Sequence, residues 1–406
     1  MQVTITDIRQ AHDRIRAHIY RTPCPFSLLL SRLTGVQVYC KLDNLQVTGS
    51  FKERGARNRL ELLDATERAR GVIAVSAGNH ALGLAYHGKC LGIPVTVVMP
   101  KWAPLVKVST CRSFAATVIL HGTTFAEARA QAVALGERQG LTFIPPYDDH
   151  AIISGQGTIG IELLEDLPDL DAVIVPVGGG GLLSGIATAI KALKPSVQVI
   201  GVEALSAPTM HAALAAGHPV AISAAPTLAD GLAVSRIGDL PFAILRTTVD
   251  RFVQVDEARI AQAILRLLEL EKLVVEGAGA VPLAALLSHD LGLAGKTVAL
   301  VLAGGNIDVT MISRVIERGL AADGRLCRLT VRISDRAGSL AHLLEVVART
   351  GASIKEVVHD RNFAPADVAL VGVTLVLETR DHAHITEVRS ALAAGGIDSG
   401  TPLAAC

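Results

Sequence analysis

The sequence predicts an α/β fold built on mostly parallel sheets, followed by a smaller unit of ferredoxin-like plan. Three observations carry that expectation. From Val36 onward, short β-branched runs alternate with longer helical stretches, the pattern of strand–helix–strand units. The run Ala172-Val173-Ile174-Val175-Pro176-Val177 is apolar throughout, as a strand buried on both faces must be. Hydrophobic residues make up 50% of the chain and aromatic ones only 3%, so the core is aliphatic and alanine-rich, which suits sheets covered by helices. At 406 residues the chain is long enough for two or three structural units.

Each element follows in order. Residues 5–18 read as an amphipathic helix, with Thr6 as its N-cap ahead of Ile8 and Ile15. Strands are expected at 71–75, 95–99, 117–120, 171–177, 197–203 and 297–302, and helices at 79–91, 104–113, 123–139, 182–193 and 306–318. The character changes after Asp323-Gly324. A strand at 325–334, a helix at 337–349, strands at 352–360 and 368–378, and a helix at 381–393 give a β-α-β-β-α order, the ferredoxin-like plan with one strand short or unseen. The boundary between the units is expected near 320–325, giving domains 1–322 and 325–402.

Composition excludes several roles. A formal net charge of +0 favours neither nucleic acid nor anionic membrane as a partner. No uninterrupted apolar run approaches the roughly 18 residues of a membrane span. The start, Met1-Gln2-Val3-Thr4-Ile5-Thr6-Asp7, lacks the basic head and apolar run of a secretory signal. The cysteines Cys24, Cys40, Cys90, Cys111, Cys327 and Cys406 have no zinc-like or redox spacing and read as buried free thiols in a reducing cytoplasm. His382 and His384 are close in sequence but sit in a polar stretch that reads as exposed, with no third ligand evident.

Four segments carry candidate chemistry. In Ser50-Phe51-Lys52-Glu53-Arg54-Gly55-Ala56 a lysine opens a helix. Alone, Lys52 reads more often as a solvated helix residue; a lysine that forms a Schiff base needs a packed setting that lowers its pKa. Val177-Gly178-Gly179-Gly180-Gly181-Leu182 places four glycines between a buried strand and a helix. Backbone N–H groups there can converge on a phosphate, although a plain tight turn is the alternative. Ser76-Ala77-Gly78-Asn79-His80 also lies between strand and helix and reads either as a carboxylate nest or as an N-cap by Ser76 or Asn79. Leu302-Ala303-Gly304-Gly305-Asn306 repeats the arrangement. Ligands collect beyond the carboxyl ends of strands in open α/β sheets. A phosphate cradle, a lysine and a carboxylate nest together describe a pyridoxal phosphate site for an amino-acid substrate.

These residues resemble the fold-type II pyridoxal phosphate enzymes, the tryptophan synthase β-like class, and specifically its threonine/serine dehydratases with a C-terminal regulatory domain. The resemblance runs through roughly residues 5–320. It rests on Ser50-Phe51-Lys52, Ser76–His80, Ser154-Gly155-Gln156-Gly157-Thr158, Gly178–Gly181, Thr227-Leu228-Ala229-Asp230-Gly231, Glu276-Gly277-Ala278-Gly279 and Gly304-Gly305-Asn306 in that order. It implies a two-lobed catalytic domain with a small lobe at about 45–145. It implies that Lys52 holds the cofactor and then acts as base at the substrate Cα. Phe51 and Gly231 would flank the pyridine ring, Asn79 would bond its O3′, and Glu276 would lie near it. Gly178, Gly179, Gly180, Gly181 and Leu182 would bind the phosphate. Ser76, Ala77, Gly78, Asn79 and His80 would form the substrate-carboxylate loop. Glu203 and the Ala207 carbonyl match positions that hold a cation in some relatives, but Thr209 replaces an acid there, so no metal is expected and Glu203 reads as a surface residue.

Two departures bear on chemistry. Ala77 stands where racemase relatives place a second serine, which leaves Lys52 as the single acid/base at Cα and favours elimination. Ala303 stands where relatives place Ser, Thr or Cys against the pyridine nitrogen, and alanine offers no hydrogen bond. The C-terminal unit resembles an ACT domain through Asp335-Arg336-Ala337-Gly338-Ser339-Leu340, a turn near which such domains bind small amino acids; a purely structural dimerisation unit is the alternative. The resemblance implies a cytoplasmic, homo-oligomeric threonine ammonia-lyase that also takes serine, with an amino-acid effector. The rival readings are a lyase or β-replacement enzyme for another β-hydroxy amino acid, and a weakly catalytic regulator that binds the cofactor and amino acids.

Overall fold

The computed structural model describes residues 3–361 and 369–398, and the chain packs as two units, Met1–Asp308 and Val309–Cys406. In the first unit the strands are β1 Gln37–Lys41, β2 Val72–Val75, β3 Val95–Met99, β4 Thr117–Leu120, β5 Thr142–Phe143, β6 Ala172–Pro176, β7 Gln198–Ala204, β8 Arg251–Val255 and β9 Thr297–Val301. They form two sheets, one in the order β1-β9-β6-β7-β8 and one in the order β4-β3-β2-β5. Every paired strand runs parallel to its neighbour. All five residues of β6 are fully buried, because helices cover both faces of the sheet it centres. Each sheet has its own aliphatic core, around Val173, Ile186 and Val199 in one and Ala74, Leu84 and Val97 in the other.

The strands expected from sequence at 71–75, 95–99, 117–120, 171–177, 197–203 and 297–302 are all present, each within a residue of its expected ends. Differences concern other elements. The first helix is Ile5–Ile15, shorter than 5–18, and Thr4 rather than Thr6 caps it, closing a capping box with Asp7. The helix expected at 306–318 is Val309–Ala322. It packs against the second unit's first strand, so the division falls at 308/309, ahead of the composition change at 320–325.

The helix His150–Asp166 escaped the sequence reading because Gly155, Gly157 and Gly160 lower helix propensity. Packing is what requires them. A Cβ on Gly155 would lie 2.7 Å from the Arg54 carbonyl, and one on Gly157 would lie 2.9 Å from the Gly185 carbonyl. These glycines let the helix lie against Lys52–Glu61 and Gly181–Leu193.

That junction is held by buried charge. Arg54 donates to Asp43 at 2.7 and 2.9 Å and to Glu162 at 2.6 and 2.9 Å, and Lys41 reaches Glu162 at 2.7 Å. Burial alone would raise the Glu162 carboxyl, but Arg54 and Lys41 overcome it and hold it at about 2.

The second unit contains β10 Leu326–Ser334, β11 Ser353–Asp360 and β12 Leu370–Glu378, with helices Ser339–Arg349 and His382–Ala394. Its sheet order is β10-β12-β11, antiparallel throughout. An antiparallel bridge from Arg332 to Asp398 lies on β10, where a fourth ferredoxin-like strand pairs. Residue 368, the start of one expected strand, and Cys406 lie outside the described residues. Three polar expectations are corrected. His384 is buried, its ring accepting from Arg380 N and bonding the Thr350 carbonyl. Cys90 is exposed, and Cys24 and Cys327 are half-buried, rather than buried. Glu203 is fully buried rather than a surface residue. Among the described residues no helix is long and apolar enough to cross a membrane.

Candidate active site

The carboxyl ends of β1, β9 and β6 lie side by side and deliver three of the four candidate segments to one place. After β1 the chain turns through Gly49 and bridges Ser50 to Gly304, and Phe51 N donates to the Ala303 carbonyl at 3.0 Å. Lys52 then opens the helix Lys52–Glu61. Its Nζ donates to the Pro146 carbonyl at 2.7 Å. Burial pushes the Lys52 ammonium down to about 8, against a smaller upward pull from Glu276. Lys52 is therefore not a solvated helix residue.

The next residue, Tyr147, links the lysine to the glycine segment. A Cβ on Gly179 would fall 2.3 Å from the Tyr147 ring, and one on Gly181 would fall 2.9 Å from its carbonyl. Gly178 is similarly closed by Leu232 at 2.9 Å, and Gly180 has φ +89. Close packing at Gly178, Gly179 and Gly181, and the left-handed φ of Gly180, therefore require glycine whether or not a ligand approaches. The helix they open, Gly181–Leu193, has no side-chain cap, which leaves its first N–H groups available to an anion. The Ser184 hydroxyl in its first turn is buried without a partner.

The nest at 76–80 follows β2 in the other sheet. Gly78, not Ser76 or Asn79, is the N-cap of the helix Asn79–Leu91, with no side-chain cap bond. Ser76 Oγ instead accepts from Gly78 N at 3.1 Å. His80 donates from Nε2 to the Ile144 carbonyl at 3.1 Å, while Nδ1 has no partner. Burial, then the nearby Lys52 charge, pushes His80 down to about 3, so its ring is neutral. Ala77 is half-buried beside this loop.

Asn79 joins the nest to the third segment. Its Nδ2 donates to Glu276 Oε1 at 2.7 Å, and its Oδ1 accepts from Asn306 Nδ2 at 2.8 Å. Glu276 is buried, and burial followed by Asp230 raises its carboxyl to about 7, against Lys107 and the Asn79 bond. A Cβ on Gly304 would lie 2.2 Å from Glu276 Oε1, so the carboxylate seats on bare backbone. Gly231 sits close by, 3.7 Å from Glu276 Oε1 by the same construction. Ala303 is buried in the aliphatic cluster that Phe51 packs against.

Glu203 is used otherwise. Its carboxylate accepts from Met210 N at 2.5 Å, His211 N at 3.1 Å, Thr209 Oγ1 at 3.3 Å and the His211 ring. The Ala207 carbonyl accepts from Thr209 N at 3.0 Å. Both weak cation candidates are thus engaged by protein donors. Thr209 Oγ1 also donates to the Gly178 carbonyl at 3.0 Å, tying this cluster to the glycine segment.

The sequence reading missed Asn306, Tyr147, Lys107, Glu53 and His87 as individual contributors. Asn306 had a signal, since it closes the Gly304-Gly305-Asn306 segment. Tyr147, Lys107 and His87 have no local pattern and contact residues far away in sequence, whereas Glu53 accepts from Thr48 N across a turn.

The family model described as "Pyridoxal-phosphate dependent enzyme" matches residues 15–304. The chain belongs to this family. As a pyridoxal-phosphate dependent enzyme it is 46% identical over 396 residues to the L-threonine ammonia-lyase of Thermotoga maritima, covering 98% of each chain. It is 47% identical over 388 residues to that of Geobacter sulfurreducens, covering 95% of this chain and 96% of the relative. Among solved structures it resembles the processed form of threonine deaminase isoform 2 from Solanum lycopersicum, with TM-score 0.73 and 36% identity, covering 77% of this chain and 93% of that one. Pyridoxal phosphate fits the residues present. The uncapped helix at Gly181, the orphaned Ser184 hydroxyl and a lysine brought near neutrality supply what a phosphate and an aldehyde require.

Proposed function

We infer that this enzyme is a threonine ammonia-lyase. It converts L-threonine to 2-oxobutanoate and ammonia, and L-serine to pyruvate and ammonia. The observation that carries the reading is the full-length likeness to two L-threonine ammonia-lyases. Lys52, poised at about 8, supports it chemically.

Bound pyridoxal phosphate supplies an aldehyde for amines and a ring that spreads negative charge. Gly178, Gly179, Gly180, Gly181 and Leu182 would hold its phosphate through backbone N–H groups and the helix N-terminus. Phe51 and Gly231 would flank its ring, Asn79 would bond its O3′, Glu276 would lie near the ring, and Ala303 would face its nitrogen. Ser76, Ala77, Gly78, Asn79 and His80 orient the substrate carboxylate. Lys52, as a neutral amine, takes the proton from the substrate Cα; the β-hydroxyl leaves with a proton as water. Water then returns to release ammonia and the 2-oxo acid. Ala77 provides no second acid on the opposite face, which supports elimination over racemisation.

We assign residues 325–402 of the second unit as an ACT-like regulatory domain, and the first unit, Met1–Asp308 rather than the expected 1–322, as the catalytic domain with its small lobe at about 45–145. The order β10-β12-β11 and the left-handed Gly338, φ +93, in the turn after β10 support the reading. Its ligand is a small amino acid, and the enzyme is a cytoplasmic homo-oligomer. The test is steady-state turnover of threonine and serine by cofactor-loaded protein, with and without isoleucine or valine. No 2-oxo acid from either substrate ends the reading, and Lys52→Ala must abolish both turnover and the cofactor's lysine-dependent absorbance. Unchanged rates with every added amino acid remove the effector.

A further inference from the structure

Lys52 opens its helix against a specific seat. The helix Asn79–Leu91 presents Gly83 and, one turn later, His87 on the same face. A Cβ on Gly83 would lie 3.2 Å from both Lys52 C and Glu53 N, so the Lys52–Glu53 peptide rests directly on that helix. One turn along, His87 Nε2 meets Glu53 Oε2 at 3.2 Å. Both side chains are 1% exposed. Burial holds the His87 imidazole below its usual value, against the upward pull of Glu53, so the ring is neutral and Nε2–H is the donor.

The other oxygen of Glu53 continues the connection. Oε1 accepts the Thr48 N–H. The Thr48 carbonyl accepts from Asn306 Nδ2 at 2.7 Å, and the same nitrogen donates to Asn79 Oδ1 at 2.8 Å. Asn79 Nδ2 then donates to Glu276 at 2.7 Å. Through the backbone of Thr48 these bonds connect His87 to Glu276, and Thr48 and Glu53 flank Lys52 in sequence. With both hydrogens of Asn306 used, the Asn79 carboxamide cannot turn over without breaking two bonds. Glu53 is buried, and desolvation makes a buried carboxylate costly without such donors.

We propose that Glu53 and His87 form a positioning pair, which fixes the turn that delivers Lys52 and, through Thr48 and Asn306, sets Asn79 for the cofactor ring. Neither residue touches the reacting atoms. The proposal rests on the reading of Lys52 as the cofactor-binding lysine.

The test compares Glu53→Ala, Glu53→Gln and His87→Leu with the unaltered enzyme. Three quantities are read: the dissociation constant of pyridoxal phosphate by absorbance titration, kcat and KM for threonine, and the melting temperature. Losing a hydrogen bond to a buried charge predicts about a tenfold to hundredfold change. Glu53→Ala should weaken cofactor binding and lower kcat by that range, with KM within about twofold. Glu53→Gln keeps an acceptor for Thr48 N–H and should recover most of the loss. Glu53→Ala with normal cofactor affinity and kcat overturns the proposal, even if the melting temperature falls. Glu53→Gln as impaired as Glu53→Ala overturns it too. Should Glu53→Ala fail to fold, His87→Leu decides: unchanged cofactor affinity and kcat refute the pair. If the unaltered protein shows no absorbance that Lys52→Ala removes, the reading of Lys52 has failed instead.

Discussion

Glu276 accepts a hydrogen bond from Asn79 Nδ2 at 2.7 Å, yet its carboxyl is raised to about 7 from 4.5. Burial and the charge of Asp230 outweigh that bond and the pull of Lys107. In the cofactor-free protein the charged form of Glu276 is therefore penalised by folding. The penalty is absent below the unfolded value of 4.5 and complete above about 7. Stability should fall as pH rises through that window, by about 3 kcal/mol at roughly 1.4 kcal/mol per unit. Glu276→Gln removes the titrating group, so urea midpoints measured from pH 4.5 to 7 should show a flatter profile. An identical slope in both proteins would place the titration elsewhere.

Lys52 carries the opposite sign. Burial lowers its ammonium to about 8 from 10.5, and only the neutral amine attacks an aldehyde. The rate at which cofactor-free protein takes up pyridoxal phosphate should rise about tenfold per pH unit below 8 and level off above it. Stopped-flow absorbance from pH 6 to 9 reads this directly. A rate that keeps rising toward pH 10 indicates a lysine with an ordinary ammonium.

The six strands expected in the first unit were legible because each is a short apolar run closed by glycines or polar residues, as at 172–181; β1, β5, β8 and the helices Asp239–Thr248, Glu257–Arg266 and Gly277–Ser288 were not assigned. The candidate segments were legible for the same reason, since they lie in those strand-to-helix turns. Two things were not. The helix His150–Asp166 hides behind glycines that tertiary packing, not local preference, demands. Buried polar residues such as Glu203, His384 and Glu53 look like surface residues in sequence, because their partners lie in other elements or across a turn. The glycines at 178–181 suggested a phosphate cradle from their place between strand and helix, and Tyr147 and Leu232 supply a packing reason for them that no local pattern revealed.

Arg54 is the second residue after Lys52, and its guanidinium is shared by Asp43 and Glu162. Removing one member of a buried network leaves uncompensated charge. Arg54→Met should cost about 3–5 kcal/mol of stability at pH 7, read from urea unfolding. The stabilisation associated with the depressed Glu162 carboxyl is present above its unfolded value of 4.5 and is lost as pH falls toward about 2. Arg54→Met should therefore lose less than the unaltered protein between pH 4.5 and 3. Equal acid sensitivity in the two proteins would show that Glu162 is not held by Arg54.

Ala303 gives the sharpest test of the ring's orientation. It is 2% exposed and follows β9, and its carbonyl holds Phe51 N. Its methyl group lies in an aliphatic cluster, so a serine there gains no partner from the protein alone. A hydroxyl buried without a partner costs about 1–3 kcal/mol. Ala303→Ser should thus destabilise the cofactor-free protein. If Ala303 faces the pyridine nitrogen, the same hydroxyl gains its partner when pyridoxal phosphate binds. The destabilisation should then disappear in the loaded enzyme, cofactor affinity should rise, and kcat for threonine should change by no more than about several-fold. Melting temperatures of the unaltered and substituted proteins, each with and without cofactor, separate the outcomes. A loss of equal size in both states would put the side chain against the apolar cluster and away from the ring.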